Sequence, residues 1–549
     1  MIPSYTNAVH HTTTSSWGEK VVVEEVLGSP CRVFAQRPKH LGELLWWGAQ
    51  HGERTCLIQG DRRLSFAQLA EAIDAVAGTL HRQGLQAGDR ILLAGANSIE
   101  WVVTFWACLC HGWVLVPVNA WWSPEELAHA AGLVGARLAV ADTRRRARLP
   151  NDLACLELES ILPQPIDAKT DGGALAVPLS TTEDDPAMVL FTSGTTSFAR
   201  GAVLTHRNLL ANLHNLLAIA GRLPGSPEAT RNPAVTLMTM PLFHVGGIQQ
   251  VFTALLSGAT LVFTEGRFSP EGVLKVMADE GVTGWAAVPT MLSRVLEVVE
   301  KDPGRLDVST LRTLVIGGSQ VSESLRARAR SAFPRTAARG LGTSYGLTEI
   351  SGVAATAAGQ VVAERPGTVG RPLPTVELRI EPVDTRSDDS IGEVLVRSPG
   401  VMLGYWGCDD DPIVTPDRWV HTGDLGRLDD DGYLYIVGRA KDVVIRGGEN
   451  ISTVRVEERL GEHPAVREVV VVGLPHEDLG EELAAAVVLH PGSAVDEDDL
   501  ANFASENLAY FSVPTSWWFI DHLPKNATGK VLKSQIVREW GVARASQPN

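Results

Sequence analysis

The stretch RILLAGANSIEWVVTFWACLCHGWVLVPVNAWW (residues 90–122) decides the fold class of this chain. Residues 101–122 carry no formally charged side chain, and this run is long enough to cross a bilayer. However, His111-Gly112 interrupts the run, and Asn97-Ser98 offers a helix start just before it. A buried helix followed by a buried, Val-rich parallel strand that ends near Pro117 therefore fits better than a membrane span.

On both sides of this stretch, helical periodicity alternates with short β-branched runs. Such alternation predicts parallel sheets covered by helices. The predicted helices are 66–81, 123–132, 206–220 and 273–280, and the predicted strands are 90–94, 137–141, 188–191, 235–238 and 313–316.

After about residue 375 the pattern changes to short strands separated by Gly, Asp and Pro, which indicates a mainly β subdomain. Its predicted strands are 376–380, 393–396 and 433–437. Near the end, a strand at 469–472 and a helix at 498–507 predict a small α+β unit. The predicted fold class is α/β, with a large N-terminal region of two helix-covered, mostly parallel sheets plus the β subdomain, and then a small mobile α+β domain.

The composition excludes several function classes. The 549 residues (59.0 kDa) include 48 Lys+Arg against 64 Asp+Glu, a formal charge of −16 that disfavours general binding to nucleic acid or anionic membranes. The six cysteines form no C-x-x-C pair, so neither a disulfide framework nor a cysteine zinc site is predicted. We expect a cytoplasmic protein without a transmembrane segment, whose residues 10–16 (HHTTTSS) belong to a loose tail.

A Ser/Thr-rich loop directly follows the predicted strand at 188–191. Its glycine permits tight backbone geometry, its hydroxyl and N–H groups can donate to phosphate oxygens, and Arg200 adds positive charge. A helix near His206 follows, with Thr205 as its N-cap. The loop matches neither a Walker pattern nor a serine nucleophile elbow, and a surface linker is the alternative interpretation. Its residues are Thr192, Ser193, Gly194, Thr195, Thr196 and Ser197.

Seven motifs occur in an order that resembles the adenylate-forming enzymes, specifically the acyl-CoA synthetases. The resemblance covers about residues 41–537. The motifs are FTSGTTSFARG (191–201), PLFHVGG (241–247), IGGSQVS (316–322), GTSYGLTE (342–349), WVHTGD (419–424), GRAKDVVIRGGENIS (438–452) and PKNATGK (524–530).

The resemblance implies a site for Mg²⁺ and phosphate. Glu349 would hold Mg²⁺ with help from Thr196, as suits a hard carboxylate beside phosphates. Thr348 would contact the α-phosphate. Without the resemblance, Glu349 would be an ordinary acidic residue at a helix start.

The resemblance also implies a nucleoside site. Tyr345, next to Gly346, would offer a flat face for adenine, and Asp424 would accept hydrogen bonds from both ribose hydroxyls, with Arg439 close by. Each of these residues taken alone would be an ordinary core aromatic or surface charge. The purine would approach the backbone of Gly317, Gly318 and Ser319.

A third implied site holds the acid. His244 would stand near the acyl carboxylate, although a lone histidine among apolar residues is usually a core residue. The helix that follows it would line the acid pocket. The pocket residues are His244, Val245, Gly246, Gly247, Gly342 and Ser344.

The resemblance divides the chain into a loose tail (1–35), an adenylation domain (36–441) and a C-terminal lid domain (442–549). Lys530 would supply the cation that neutralises charge during adenylation. Asp442 would be the hinge, and the face that forms the CoA tunnel would carry Gly447 and Gly448.

The function implied is ATP-dependent activation of a carboxylic acid, favoured to be fatty or bulky and apolar, with Mg²⁺ and then CoA as the acceptor. A stand-alone acyl-AMP ligase that loads a carrier protein is one alternative. A nucleotide-binding paralogue that has lost catalysis is another, because Ser197, Ala199 and Arg200 stand where the family usually has Gly, Pro and Lys. The oligomeric state is open, with a homodimer among the options.

Overall fold

A computed structural model describes residues 17–162, 181–192, 198–226, 228–316, 323–337, 342–383, 390–408, 411–446, 449–476, 478–526 and 529–546. Within them the chain forms an N-terminal hairpin, two six-stranded sheets, a seven-stranded sheet and a separate five-stranded sheet near the C-terminus. The predicted α/β class, with its small C-terminal domain, is confirmed.

The N-terminal hairpin pairs β1 (Val21–Val26) with β2 (Ser29–Phe34). The predicted loose tail over residues 1–35 is therefore wrong for residues 17–35. An isolated hairpin is marginal in water, and this one is stabilised by docking. Phe34 is buried and stacks on the ring of His214, with centroids 3.7 Å apart, and Arg37 forms an ion pair with Glu183. These contacts join residues that are far apart in the sequence, so no local sequence pattern predicts that the hairpin is ordered.

The next part of the chain supplies the strands of the two six-stranded sheets. These are β3 (Thr55–Gln59), β4 (Arg62–Ser65), β5 (Arg90–Ala94), β6 (Val114–Pro117), β7 (Leu138–Ala141), β8 (Cys155–Glu157), β9 (Pro186–Thr192), β10 (Arg200–Thr205), β11 (Val235–Met238), β12 (Thr260–Phe263), β13 (Gly284–Ala287) and β14 (Thr313–Ile316).

Helices connect these strands. They are α1 (Glu43–Ala49), α2 (Phe66–His81), α3 (Ile99–Cys110), α4 (Pro124–Val134), α5 (Thr143–Arg146), α6 (His206–Ile219), α7 (Val245–Ser257), α8 (Pro270–Asp279), α9 (Pro289–Lys301), α10 (Glu323–Ala332) and α11 (Pro334–Ala337). Each helix and strand predicted in this region is found, with its ends within a few residues of the expected ones.

The first sheet has the order β10-β9-β6-β5-β7-β8, and the second has β14-β13-β11-β12-β3-β4. Neighbours are parallel except the pairs β9/β10 and β3/β4. The predicted phosphate loop follows β9 and the predicted purine segment follows β14. Both therefore leave the carboxyl ends of strands, where open α/β sheets bind ligands.

Helix α3 explains the long uncharged run. Ser98 caps it by accepting from the backbone N–H of Trp101, and every residue of the helix is buried. Phe105 and Trp106 pack on Phe252 of α7, with ring centroids 5.5 Å away in both cases. Among the described residues, no helix is both long and apolar enough to span a membrane. The run is uncharged because it lies inside the protein.

The β subdomain is an antiparallel sheet with the order β15-β16-β17-β21-β20-β19-β18. A short helix, α12 (Gln360–Glu364), precedes β17. The strands are β15 (Thr343–Leu347), β16 (Gly352–Ala357), β17 (Thr368–Pro372), β18 (Glu377–Pro382), β19 (Gly392–Arg397), β20 (Val420–Leu428) and β21 (Leu434–Arg439).

The C-terminal domain has two cores, one on each face of the paired β24 and β25. Valines and alanines alternate between these faces, as expected for a strand pair covered on both sides. Its elements are β22 (Val443–Arg446), β23 (Glu449–Ser452), α13 (Thr453–Gly461), β24 (Val466–His476), β25 (Gly480–Leu489), α14 (Glu497–Ser505), β26 (Ser516–Phe519) and α15 (Lys533–Ser546). A boundary between residues 441 and 442 stays a prediction.

Candidate active site

The predicted phosphate loop connects the two strands of a hairpin. Thr192 ends β9, Arg200 begins β10, and the two residues are cross-strand partners. The predicted helix near His206 does follow, but strand β10 lies between it and the loop. Thr205 does cap α6, accepting from the N–H of Asn208 at 3.1 Å, yet this cap lies about 17 Å along β10 from the loop. The dipole of α6 therefore does not act at the loop. Ser193, Gly194, Thr195, Thr196 and Ser197 lie outside the described residues.

Arg200 is already engaged in this structure. Its guanidinium forms an ion pair with Asp411 and lies 3.9 Å from the centroid of the Tyr405 ring. Both contacts stabilise a cation at the end of the predicted loop. The side chain stays 37% exposed, so Arg200 keeps access to solvent at this position.

Glu349 lies in a short turn (Thr348–Ile350) directly after β15. Its Oε1 accepts a hydrogen bond of 2.6 Å from the hydroxyl of Tyr405, and its backbone carbonyl accepts from Met402 N. The hydroxyl of Tyr405 also bonds the side chain of Thr192. Burial, and then the charge of Glu349, raise the pKa of Tyr405. Glu349, Thr192 and Arg200 are thus brought together around Tyr405.

Tyr405 and Asp411 have no role in the sequence prediction. Tyr405 follows Gly404 in an irregular segment, and the residue is only 4% exposed. By sequence it is indistinguishable from an aromatic residue of the core. Thr348 is half-buried beside Glu349, and its carbonyl accepts from the N–H of Ser351.

A second group centres on Asp424, which is 6% exposed. Its Oδ2 accepts from the hydroxyl of Tyr345 at 2.7 Å, and its Oδ1 lies 2.9 Å from Nε of Arg439, the residue opposite on β21. Burial and the charge of Asp424 raise the pKa of Tyr345 well above its usual value. Gly346 follows Tyr345 where β15 approaches β16 so closely that a Cβ would lie 2.0 Å from the carbonyl oxygen of Gly352. A glycine is therefore required there.

The turn before Asp424 is held by a residue that the sequence did not single out. Glu393 accepts from the N–H of Gly423 at 2.9 Å with Oε1, and its Oε2 lies 3.0 Å from Nδ1 of His421. Ligand atoms of Glu381, Glu393 and His421 lie within 4.8 Å of one another. However, Arg379 already pairs with Glu381. Glu393 therefore holds the turn before Asp424 through Gly423 and His421.

His244 is the N-cap residue of α7, and the helix begins at Val245 as expected. A Cβ on Gly247 would lie 2.4 Å from the carbonyl oxygen of Pro241, so only glycine fits there, whereas one on Gly246 would meet the flexible end of Met240 at 3.2 Å. Burial lowers the pKa of His244 to about 4, so the imidazole is neutral at neutral pH.

The Nε2 atom of His244 is buried and has no hydrogen-bond partner among the described residues. A buried polar atom of this kind calls for a partner. The neighbouring Phe243 ring is 4.6 Å from the imidazole and also packs edge-on against Trp121, which is 58% exposed. Gly342, by contrast, pairs with Val315 and joins β15 to the end of β14, and Ser344 is half-buried on β15.

Lys530 is exposed at the end of a compact loop. Its N–H donates to Oδ1 of Asn526, and its carbonyl accepts from the N–H of Asn526, both at 2.9 Å. The loop lies against the start of α9, because a Cβ on Gly529 would be 3.2 Å from Oγ1 of Thr290. Lys525 also approaches that oxygen, at 3.4 Å. The C-terminal domain thus places the Lys530 loop on the N-terminal region.

Asp442 ends the short turn (Ala440–Asp442) that joins β21 to β22. The hydroxyl of Ser452 donates to the carbonyl of Val437 at 2.8 Å across this junction. Asp442 therefore lies at the link between the two domains, while its role as a hinge stays a prediction. Outside the described residues are Gly317, Gly318, Ser319, Gly447 and Gly448.

Comparison with known proteins gives consistent family matches. The model of the AMP-binding enzyme family matches residues 44–406, and that of the AMP-binding enzyme C-terminal domain matches residues 455–530. The chain is 34% identical to a feruloyl-CoA synthase of Amycolatopsis over 497 residues, covering 89% of this chain and 96% of that protein. It is 33% identical to the fatty acid–acyl-carrier-protein ligase ScoC of Streptomyces coeruleorubidus over 511 residues (90% and 95% covered).

A solved structure supports the same relationship. O-succinylbenzoate coenzyme A synthetase from Bacillus subtilis, in complex with ATP and magnesium ion, superposes with a TM-score of 0.76 at 28% identity. The superposition covers 91% of this chain and 99% of that one. The two family matches extend into both domains, and their residue ranges include Glu349 and Lys530. This chain therefore belongs to the AMP-binding enzyme family, and it is an adenylate-forming enzyme of the AMP-forming acid–CoA ligase class.

Proposed function

We propose that this enzyme joins a carboxylic acid to ATP as an acyl-adenylate and then transfers the acyl group to CoA. In the first step a carboxylate oxygen bonds to the α-phosphorus, and the bond to the β-phosphate breaks to release pyrophosphate. In the second step the CoA sulfur bonds to the acyl carbon, AMP leaves, and the thiol proton is lost. The supporting observation is that Thr192, Arg200 and Glu349 converge on Tyr405, which brings both ends of the predicted phosphate loop beside a carboxylate.

The residues present fit a magnesium ion. Mg²⁺ is usually held by one or two carboxylates together with substrate phosphates, and Glu349 lies beside the ends of the phosphate loop. Glu349, with Thr196, would hold the ion. When bound, Mg²⁺ neutralises the charge that develops on the phosphates. Thr192, Thr348 and Arg200 would orient those phosphates.

The group around Asp424 fits the nucleoside of ATP. A carboxylate offers about four lone-pair sites. Tyr345 occupies one site on Oδ2 of Asp424, and Arg439 occupies one site on Oδ1. The remaining sites would accept the two ribose hydroxyls. With its hydroxyl fixed on Asp424, the ring of Tyr345 has a defined orientation in which to bind adenine. Gly317, Gly318 and Ser319 would be the backbone that the purine approaches.

The surroundings of His244 favour an apolar acid. Its neutral imidazole can hydrogen-bond a carboxylate through Nε2 but supplies no permanent charge. Phe243 and Trp121 supply aromatic surface close to this imidazole, and Met240 adds an apolar, flexible side chain beside Gly246. We propose a fatty acid or a bulky alicyclic or aromatic acid as the substrate.

Lys530 and the junction at Asp442 would divide the two steps between two domain arrangements. The Lys530 loop lies on the N-terminal region here, as adenylation requires. Rotation about Asp442 would then withdraw the loop and present the face carrying Gly447 and Gly448 to CoA. Electrostatic stabilisation and positioning, without a protein nucleophile, would accomplish both steps.

A carrier protein is the second candidate acceptor. The similarity to a fatty acid–acyl-carrier-protein ligase covers as much of the chain as the similarity to the feruloyl-CoA synthase. The first step would be the same in both cases. Only the acceptor of the acyl group would differ.

Pyrophosphate release with ATP, Mg²⁺ and a panel of fatty, alicyclic and aromatic acids tests the first step. We expect release with at least one apolar acid and none with Glu349→Gln, which keeps the size of the side chain but removes its charge. AMP release on adding CoA or an acyl carrier protein then identifies the acceptor. A folded protein that binds ATP yet releases no pyrophosphate with any acid would contradict the proposal and favour the non-catalytic paralogue.

A further inference from the structure

Tyr405 lies at the meeting point of three segments of the site. Its own segment runs beside β10, with Leu403 N and Val203 O 2.9 Å apart and Trp406 N and Gly201 O 2.8 Å apart. Met402 N donates to the backbone carbonyl of Glu349 at 2.9 Å. The segment is therefore anchored both to the strand that follows the phosphate loop and to the turn that carries Glu349.

The Tyr405 hydroxyl has a single proton, and it donates that proton to Oε1 of Glu349 at 2.6 Å. A distance of 2.6 Å is typical of strong charge-assisted O–H···O⁻ bonds. The Thr192 side chain bonds the same hydroxyl, and the Arg200 guanidinium lies over the ring. The position of the Tyr405 hydroxyl is thus fixed by both partners.

We propose that Tyr405 is a positioning residue that occupies Oε1 of Glu349 and so presents this carboxylate to Mg²⁺ through its other oxygen alone. The proposal rests on the role of Glu349 given under the proposed function. Among the described residues the Glu349 carboxylate has no hydrogen bond besides the one from Tyr405. One oxygen is therefore restrained and the other is available.

The consequence is selectivity among divalent cations. Mg²⁺ requires near-ideal octahedral geometry with ligands at about 2.0–2.1 Å, whereas Ca²⁺ accepts both oxygens of a carboxylate. A carboxylate restrained to one oxygen suits Mg²⁺. Without the Tyr405 hydroxyl, Glu349 can turn and offer both oxygens, so the preference for Mg²⁺ over Ca²⁺ should fall.

The test is Tyr405→Phe, which removes the hydroxyl and keeps the ring under Arg200. ATP binding is measured by calorimetry with Mg²⁺, with Ca²⁺ and with a chelator. We expect ATP affinity in Mg²⁺ to fall about tenfold, affinity in the chelator to stay unchanged, and the ratio of Mg²⁺ to Ca²⁺ affinities to drop. Tyr435→Phe is the matched control, because Tyr435 also directs its hydroxyl at a carboxylate, Asp429, outside the site. This control should bind like the wild type.

An equal loss of ATP affinity with and without metal would show that Tyr405 only supports the fold, and unchanged cation selectivity would also overturn the proposal. Glu349→Gln in the same assay separates this failure from failure of the proposed function. If Glu349→Gln alters the metal dependence and Tyr405→Phe does not, only the positioning role fails. If neither alters it, the assignment of Glu349 fails. Should Tyr405→Phe fold poorly, Tyr405→Met, which also lacks a hydroxyl, replaces it.

Discussion

The nucleoside site makes the sharpest prediction, through Asp424→Asn. The substitution keeps the shape of a side chain that is 6% exposed, but removes its charge and converts one acceptor into a donor. Tyr345 and Arg439 lose their charged partner at the same time. A hydrogen bond to a charged group contributes about 1.5–3 kcal/mol. With both ribose contacts weakened, we expect a loss of about 3 kcal/mol, or about a hundredfold in the Kd of ATP.

Calorimetry with ATP, 2′-deoxy-ATP and 3′-deoxy-ATP measures this loss and assigns it to the ribose. The wild-type enzyme should bind each deoxy analogue about tenfold or more weakly than ATP. Asp424→Asn should bind all three nucleotides weakly. This variant should bind at least one of the deoxy analogues almost as tightly as it binds ATP.

Tyr345→Phe controls for disturbance of the site, since it removes one bond to Asp424 but keeps the charge and the aromatic ring. Tyr345→Phe should still bind both deoxy analogues more weakly than ATP. The ribose assignment is refuted if folded Asp424→Asn binds ATP like the wild type, or if it still discriminates fully against both deoxy analogues.

Three further predictions concern other parts of the molecule. Lys530→Ala should slow adenylation about 10²–10³-fold but retain thioester formation from supplied acyl-adenylate and CoA. An equal loss of both half-reactions would contradict the division of the two steps between two domain arrangements. Gly247→Ala should lower the free energy of unfolding by about 1–3 kcal/mol, because the added Cβ would lie 2.4 Å from a backbone oxygen. The control Gly246→Ala should change the stability little. Equal thermal stabilities of the two variants would contradict the packing argument. Burial lowers the pKa of His214 to about 4, from an ordinary value of 6.5. The folded protein therefore binds the proton more weakly than the unfolded chain, and the free energy of unfolding decreases as the pH falls from 6.5 towards 4. At pH 5.5 we expect this decrease to be about 1.4 kcal/mol. Denaturant unfolding at pH 7.5 and 5.5 should show that His214→Gln removes this loss, whereas substitution of the exposed His522 by Gln should not.

Much of the fold was predictable because its cause is local. The run through Trp101 and Trp106 predicted a buried helix and strand, since charge is excluded from both whatever surrounds them. Ser98 and Thr205 marked helix starts correctly, because a cap bonds an N–H only three residues away. The motif order likewise named the family before any contact was known.

The parts missed depend on partners far along the chain. Strand β10 was missed because Arg200–Thr205 reads equally well as a loop, and only its pairing with β9 makes it a strand. The N-terminal hairpin is stable through His214, about 180 residues away from Phe34 in the chain. Glu393 and Tyr405 acquire their roles only from contacts that folding creates.

The sequence by itself determined the class of the fold, the family and the residue types that chemistry on ATP requires. Carboxylates, hydroxyls, glycines and a lysine at fixed spacing specify these because their chemical character does not depend on their neighbours. The tertiary structure alone decided how those groups are oriented: which oxygen of Glu349 is occupied, that Tyr345 and Arg439 share Asp424, and that the Lys530 loop lies on Thr290. Orientation depends on hydrogen bonds and packing between residues separated by tens to hundreds of positions, and spacing along the chain does not encode them.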